Sequence, residues 1–313
     1  MGVFDDIQAG LGKGFDAAMD AAGKGFDAAA SATNKALVTR APFIQAFIHL
    51  CDDGWLQGWH ERNGGNLTYR MTEEDVAKVR GGFDSAPREW VDLGFSEPTL
   101  TNAYFLITGS GAYMHNVSAS PIENIGIVEM NEAGSAYRVV WGLVNRKPTS
   151  ELPTHIMNHA IRMKATDGAC RVIYHAHPNN IIAMTFVEPL DARTFSRALW
   201  KAMTECVVVF PEGVGVVPWM VPGGNEIAKA TSEQMKNYPA VIWAQHGLFV
   251  SGADFDETFG LMHCIEKAAD IYFRARTMNG GSNEFLNTIT DEGLAQIGVE
   301  FNVKINKEFL DVQ

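Results

Sequence analysis

The sequence predicts an α/β fold, a single layered domain in which helices cover a mixed β-sheet. Short apolar runs rich in Val and Ile, such as 171–177 and 240–246, alternate with longer stretches whose apolar residues recur at helical spacing. Gly and Pro punctuate most of the boundaries between them. With 313 residues, of which 46% are hydrophobic and 20% charged, the chain has the composition of a globular protein with a sizeable core.

The elements follow in order. Pro42 opens the compact part, and Phe43, Ile44, Phe47, Ile48, Cys51, Trp55 and Trp59 predict an amphipathic helix to about residue 60. The glycine turn 63–66 leads into a strand over 67–71, and residues 72–100 read as a polar excursion. Strands are expected at 104–108, 124–130 and 136–144, a helix at 151–165, a strand at 171–177 and a helix at 191–203. Strands at 206–210 and 214–217, a helix at 224–237, a strand at 240–246 and helices at 256–277 and 290–297 complete the reading.

Residues 1–40 differ from this domain, which spans 41–313. Gly12–Ala18 recurs as Gly23–Ala29, and Phe4, Phe15, Phe26 and Leu37 keep the same interval of 11 residues. Eleven residues make three turns of a nearly straight helix, so these side chains share one face. The glycines at 10, 12, 14, 23 and 25 each disfavour a helix by up to about 1 kcal/mol. The segment is therefore expected either to order on a partner or to be a leader without a role.

Composition also excludes several classes. A net charge of −12 supplies no basic surface for nucleic acid. No apolar run approaches a membrane span, and no secretory signal precedes the domain. The cysteines at 51, 170, 206 and 264 lack any C-x-x-C spacing, which points to reduced thiols and a cytoplasmic location.

The chemistry concentrates at His175 and His177. Side chains two apart on a strand share a face, and Pro178 cannot continue the ladder, so both imidazoles are expected at a sheet margin. His246 ends a second apolar run, before Gly247. Three histidines with one open position suit a catalytic zinc site. Spacing alone leaves open two core histidines beside an unrelated third. Glu151 follows Ser150, an expected N-cap, at the start of the 151–165 helix, where the helix dipole favours its anion. It reads as a ligand, a general base, or a first-turn glutamate that only stabilises the helix. His155 and His159 share a helical face but lack the Glu of H-E-x-x-H, and are read as packing or supporting groups. The glycine turns 63–66 and 108–111 are able to aim backbone N–H groups at an anion, yet neither is a nucleotide motif.

Several segments together resemble the class II (zinc-dependent) aldolase and adducin family over about residues 43–313. They are Gly58–Thr68, Ile107–Gly111, Pro148–Pro153, His175–His177, Thr204–Gly215, Pro218–Gly223 and Asp256–Leu261. The resemblance implies an αβα domain with a largely antiparallel sheet, assembled as a homotetramer with active sites at subunit boundaries. It implies that His175, His177 and His246 hold Zn²⁺ and that Glu151 is the catalytic base. Asn63, Gly65, Asn66, Ser110 and Ser150 would surround a phosphate, and Glu205 would approach the substrate from a neighbouring subunit. Glutamate at 151, where family epimerases tend to carry Asp, favours aldol cleavage, and adducin-like binding modules lack the three histidines. Within the family the match is nearest to cleavage of L-rhamnulose 1-phosphate into dihydroxyacetone phosphate and L-lactaldehyde, with metal stabilising the enediolate. Fuculose-phosphate cleavage or pentulose-phosphate epimerisation is the alternative reaction. Residues 1–40 lie outside the resemblance and are similar to peptides that direct enzymes to a bacterial microcompartment shell.

Overall fold

The protein is described here by a computed structural model, over residues 36–311. The 11-residue repeat therefore lies outside the described residues, apart from positions 36–40. Val38, in that short stretch, is already buried in the main core.

Helix α1 (Pro42–Leu56) starts with proline in its first turn, where the missing N–H costs nothing, and buries Phe43, Ile44, Phe47, Ile48 and Cys51. It stops earlier than expected, and Trp59 instead packs beside Phe259. Strand β1 (Asn66–Arg70) follows the glycine turn. The expected polar excursion contains a helix, α2 (Glu73–Val79), and a short strand, β2 (Val91–Asp92). A capping box between Thr72 and Asp75 starts α2, which buries only Val76 and Val79, so its apolar signal is faint.

The chain continues through β3 (Tyr104–Thr108), the single turn α3 (Pro121–Asn124), β4 (Ile125–Met130), β5 (Ala136–Gly142), α4 (Leu152–Ala165) and β6 (Val172–Ala176). Next come α5 (Asn179–Met184), absent from the sequence reading, α6 (Ala192–Ala202) and α7 (Glu205–Val209). Residues 206–210 were expected as a strand because three consecutive valines favour one. Packing decides otherwise: Cys206 and Val207 are buried and the element lies against α6 as a helix. The remainder is β7 (Gly215–Val217), α8 (Asn225–Met235), β8 (Ala240–Trp243), β9 (Gly247–Gly252), α9 (Phe255–Met278) and α10 (Asp291–Glu300).

The strands form one sheet in the order β2-β5-β4-β3-β1-β6-β9-β8-β7. Every pairing is antiparallel except β7 with β8, so the sheet is mixed and largely antiparallel, as expected. Helices α1, α5, α6 and α9 cover one face, and α4 and α8 cover the other. Strand alternation divides the core accordingly: Leu67, Tyr69, Val172 and Tyr174 join the larger cluster, while Ile173, Val241 and Phe249 face the other way.

This antiparallel order matters for function. The start of β1, the ends of β3 and β6 and the start of β9 all fall on one sheet margin, since Asn66 pairs with His175, His175 with Phe249 and Thr68 with Ile107.

Candidate metal centre and active site

His175 is the penultimate residue of β6 and is wholly buried. Its ring lies flat on Phe249, 4.1 Å between centroids and 9° between planes, with Trp243 at 5.3 Å on another side. Its Nδ1–H donates to the Leu248 carbonyl at 3.1 Å, which leaves Nε2 as a bare lone pair. His177 lies just beyond the strand, with its backbone N–H held by the Trp59 carbonyl at 2.9 Å. Its Nδ1–H donates to the Glu61 carboxylate at 2.7 Å, so its Nε2 is bare as well.

His246 was expected at a strand end; it sits instead in the turn between β8 and β9. Gly247 does not stop a strand but begins one. A side chain there would clash with the Ala176 carbonyl at 2.5 Å and with both the His175 and His177 rings at 2.9 Å. The turn is tied down by Gln245, whose backbone N–H donates to Thr185 Oγ1 at 3.0 Å, directly after α5. That is what the unforeseen helix α5 contributes to the site.

The three rings converge. Nε2 of His175 lies 3.3 Å from Nε2 of His246 and 3.2 Å from Nε2 of His177. Burial, then the charges of His177 and His246, keep His175 well below its ordinary pKa, and burial followed by His177 lowers His246 to about 4. His175 and His177 turn Nδ1 outward onto their hydrogen-bond partners, and ring nitrogens of all three histidines meet in a common space, an arrangement that a divalent cation fits. Among the described residues no other group of His, Cys, Asp and Glu converges in this way.

Glu151 faces the same space, buried, with Oε2 3.7 Å from His175 Nε2 and so beyond hydrogen-bond reach of it. It occupies the N-cap position of α4 itself, not Ser150 as expected, and its side chain does not cap the helix. Burial raises its carboxyl to about 6, opposed by the hydrogen bond it accepts from Asn66 Nδ2 at 2.8 Å.

Residues 45–273 match the class II aldolase and adducin N-terminal domain. The chain belongs to the class II aldolase and adducin family. It is 45% identical over 267 residues to the rhamnulose-1-phosphate aldolase of Shigella sonnei (strain Ss046), an alignment covering 85% of this chain and 96% of the relative. The rhamnulose-1-phosphate aldolase of Enterobacter sp. (strain 638) is 44% identical over 276 residues, 88% of this chain and 98% of that one. A solved sugar-phosphate aldolase from Thermotoga maritima superposes with a TM-score of 0.63 at 28% identity, covering 76% of this chain and 95% of that structure.

The other expected contacts of this class II aldolase are distributed around the same margin. Gly65 has φ +75°, and a Cβ on it would meet His60 Nδ1 at 2.4 Å and the His175 carbonyl at 2.7 Å, so the turn 63–66 is pressed against β6. Asn63 is exposed on that turn. Asn66 is buried, and its amide is committed to Glu151 and His155. Ser110 and Ser150 are exposed on neighbouring loops joined by the bridge between Gly109 and Pro148. The expected anion nest at 108–111 is largely spent internally: the N–H groups of Gly109, Ser110 and Ala112 donate to Asn124, Lys147 and Gly109. Glu205 lies exposed on the first turn of α7. His155 and His159 are fully buried behind Glu151.

Glu61 and His60, for which the sequence predicts no role, also shape the site. His60 donates from Nδ1 to the Gly64 carbonyl at 3.0 Å and accepts from the Tyr174 hydroxyl at 2.7 Å, holding the glycine turn to β6. Their only signal was a place beside the turn, within a segment that carried the family resemblance.

Proposed function

We propose that this chain is a zinc-dependent aldolase that cleaves L-rhamnulose 1-phosphate to dihydroxyacetone phosphate and L-lactaldehyde. The observation that carries the reading is the convergence of three histidine ring nitrogens beside the buried carboxylate of Glu151. Relatives of that name, matched over nearly their whole length, support the choice of substrate.

His175, His177 and His246 would hold the zinc, leaving a coordination position open. When bound, the metal supplies Lewis-acid stabilisation of the charge that cleavage leaves on the dihydroxyacetone phosphate fragment. Glu151, on the same side of the sheet margin, returns a proton to that fragment from its Oε and removes one in the synthetic direction. The hydroxyls of Ser110 and Ser150, Asn63 and the backbone at Gly65 and Asn66 bind the phosphate, which orients a substrate whose reacting end is small. The chain acts in the cytoplasm as a homotetramer in which Glu205 reaches the substrate bound to a neighbouring subunit. Residues 1–40 dock onto a microcompartment shell. Among the described residues no helix is long and apolar enough to cross a membrane.

Elemental analysis of the purified protein, together with coupled reduction of released dihydroxyacetone phosphate, tests the proposal. Stoichiometric zinc and faster cleavage of rhamnulose 1-phosphate than of fuculose 1-phosphate are expected. Preference for the fuculose substrate overturns the substrate assignment, and a protein that binds no metal overturns the mechanism.

A further inference from the structure

Behind Glu151 two rows of polar side chains meet in the interior. Glu151, His155 and His159 follow one another at four-residue intervals along α4, and Asn66 and Thr68 are two apart on β1. Four residues of helix advance about 6 Å and two of strand about 6.6 Å, so the rows match rung for rung. All five residues are buried, and Thr68, His155 and His159 are 0% exposed.

The hydrogen bonds between the rows form one continuous chain. Asn66 Nδ2 lies 2.8 Å from Glu151 Oε2, and Asn66 Oδ1 is in contact with His155 Nε2. His155 Nδ1 lies 2.7 Å from Thr68 Oγ1, which lies 2.8 Å from His159 Nε2. His159 Nδ1 is buried without a partner.

Donor and acceptor chemistry gives this chain a single direction. An ionised carboxylate only accepts, so Asn66 turns its NH₂ to Glu151 and its carbonyl to His155. His155 therefore donates from Nε2. Burial lowers its pKa to about 3, so it is neutral and its Nδ1 accepts from the Thr68 hydroxyl. The Thr68 oxygen in turn accepts from His159 Nε2–H, and the remaining nitrogen of His159 carries no proton. A bare lone pair at a dead end is cheaper to bury than an orphaned N–H. A chain that ends there has no outlet for a proton, which makes it an orienting device and not a proton wire.

We infer that Thr68, His155 and His159 are positioning residues: through this one-way chain they hold the Asn66 amide with its NH₂ toward Glu151, and so fix the carboxylate facing the metal histidines. The inference rests on the reading of Glu151 as the base and adds to it the residues that aim it. A flipped Asn66 would set its carbonyl against the carboxylate, and two acceptors in a buried space push each other apart.

The test uses the full-length, metal-loaded enzyme. Thr68→Val keeps the shape but removes the hydroxyl; kcat is expected to fall about tenfold, with metal content unchanged and KM within about twofold. Thr68→Ser restores the hydroxyl and recovers kcat to within about threefold of the parent. A Thr68→Val enzyme with lowered thermal stability but parental kcat overturns the inference, since the residue would then serve packing alone. Neutron diffraction of the unmodified holoenzyme provides an independent reading, valid even where the valine variant fails to fold. Protons on Nε2 of both His155 and His159, with both Nδ1 atoms bare, support the chain. A proton on His159 Nδ1 overturns it. If those protons are in place and the unmodified enzyme cleaves no ketose 1-phosphate, the proposed reaction fails while the orienting chain stands.

Discussion

Nδ1 of His177 lies 2.7 Å from Oε1 and 2.9 Å from Oε2 of Glu61, so an otherwise exposed glutamate aims one of the three converging imidazoles. A carboxylate on the far nitrogen fixes the tautomer and makes the near nitrogen a better donor. Glu61→Ala should therefore weaken metal affinity by about 10–100-fold, measured by competition with a chelator of known strength. Unchanged affinity would show that ring packing suffices to orient His177.

Of the three converging imidazoles, His246 is the one presented by the turn between β8 and β9. His246→Ala should lose bound metal and aldolase turnover together, since one of three protein ligands is gone. Full metal occupancy in that variant would reassign the third ligand.

Glu151→Gln preserves size and accepts a bond from Asn66 through its carbonyl, but it cannot take up a proton. Turnover should fall by roughly 10²–10⁴-fold while the metal stays bound. Parental turnover with intact metal would remove Glu151 from the role of base.

Asp291, at the start of α10, anchors the C-terminal region. Its Oδ1 takes an ion pair from Lys201 at 2.9 Å, and its Oδ2 takes Arg197 at 3.0 Å and the Asp311 N–H at 2.9 Å. Burial by itself would raise its carboxyl, but these hydrogen bonds and the Arg197 charge bring it down to about 2 from 3.8. A depressed folded pKa stabilises the fold above the unfolded value, and that stabilisation is lost as the pH falls from about 4 through 2. The sign follows from linkage, since the unfolded chain binds the proton more tightly than the folded one. Asp291→Asn should lower the thermal midpoint at pH 7 and narrow its difference from the parent toward pH 2. A constant difference across that range would show that the carboxylate charge contributes nothing.

Trimming the N-terminal extension should spare the catalytic centre, because no proposed ligand lies there. Val38 packs in the core, so the cut belongs after residue 35. Metal content and turnover are expected to stay within about twofold of the full chain. An inert reporter fused to residues 1–40 should localise to a microcompartment shell in a host that makes one; a uniformly cytosolic reporter would refute the docking role.

Much of this protein was legible before its structure. Periodicity placed most strands and helices, because one-face burial imposes a period of 2 or 3.6 on the chain wherever an element is long enough to repeat it. The pair His175 and His177 was visible from its spacing of two at the end of an apolar run, although β6 itself stops at Ala176. Short elements escaped: α2 shows only two buried residues, α5 has six residues in all, and the valines at 207–209 argued for a strand that packing overruled. Sequence also marked Glu151 as a ligand, a base or a first-turn glutamate following an N-cap, and left open that it is buried. Its neighbours come from β1 and β6, 85 residues before it and 24 after it along the chain. No local pattern encodes such contacts. The antiparallel order of β1, β3, β6 and β9 brings their ends to one margin, and burial there gathers three imidazoles, a carboxylate and the polar side chains behind it. Pairing between distant strands is a cooperative property of the folded chain, whereas the residue types that exploit it are written along the sequence.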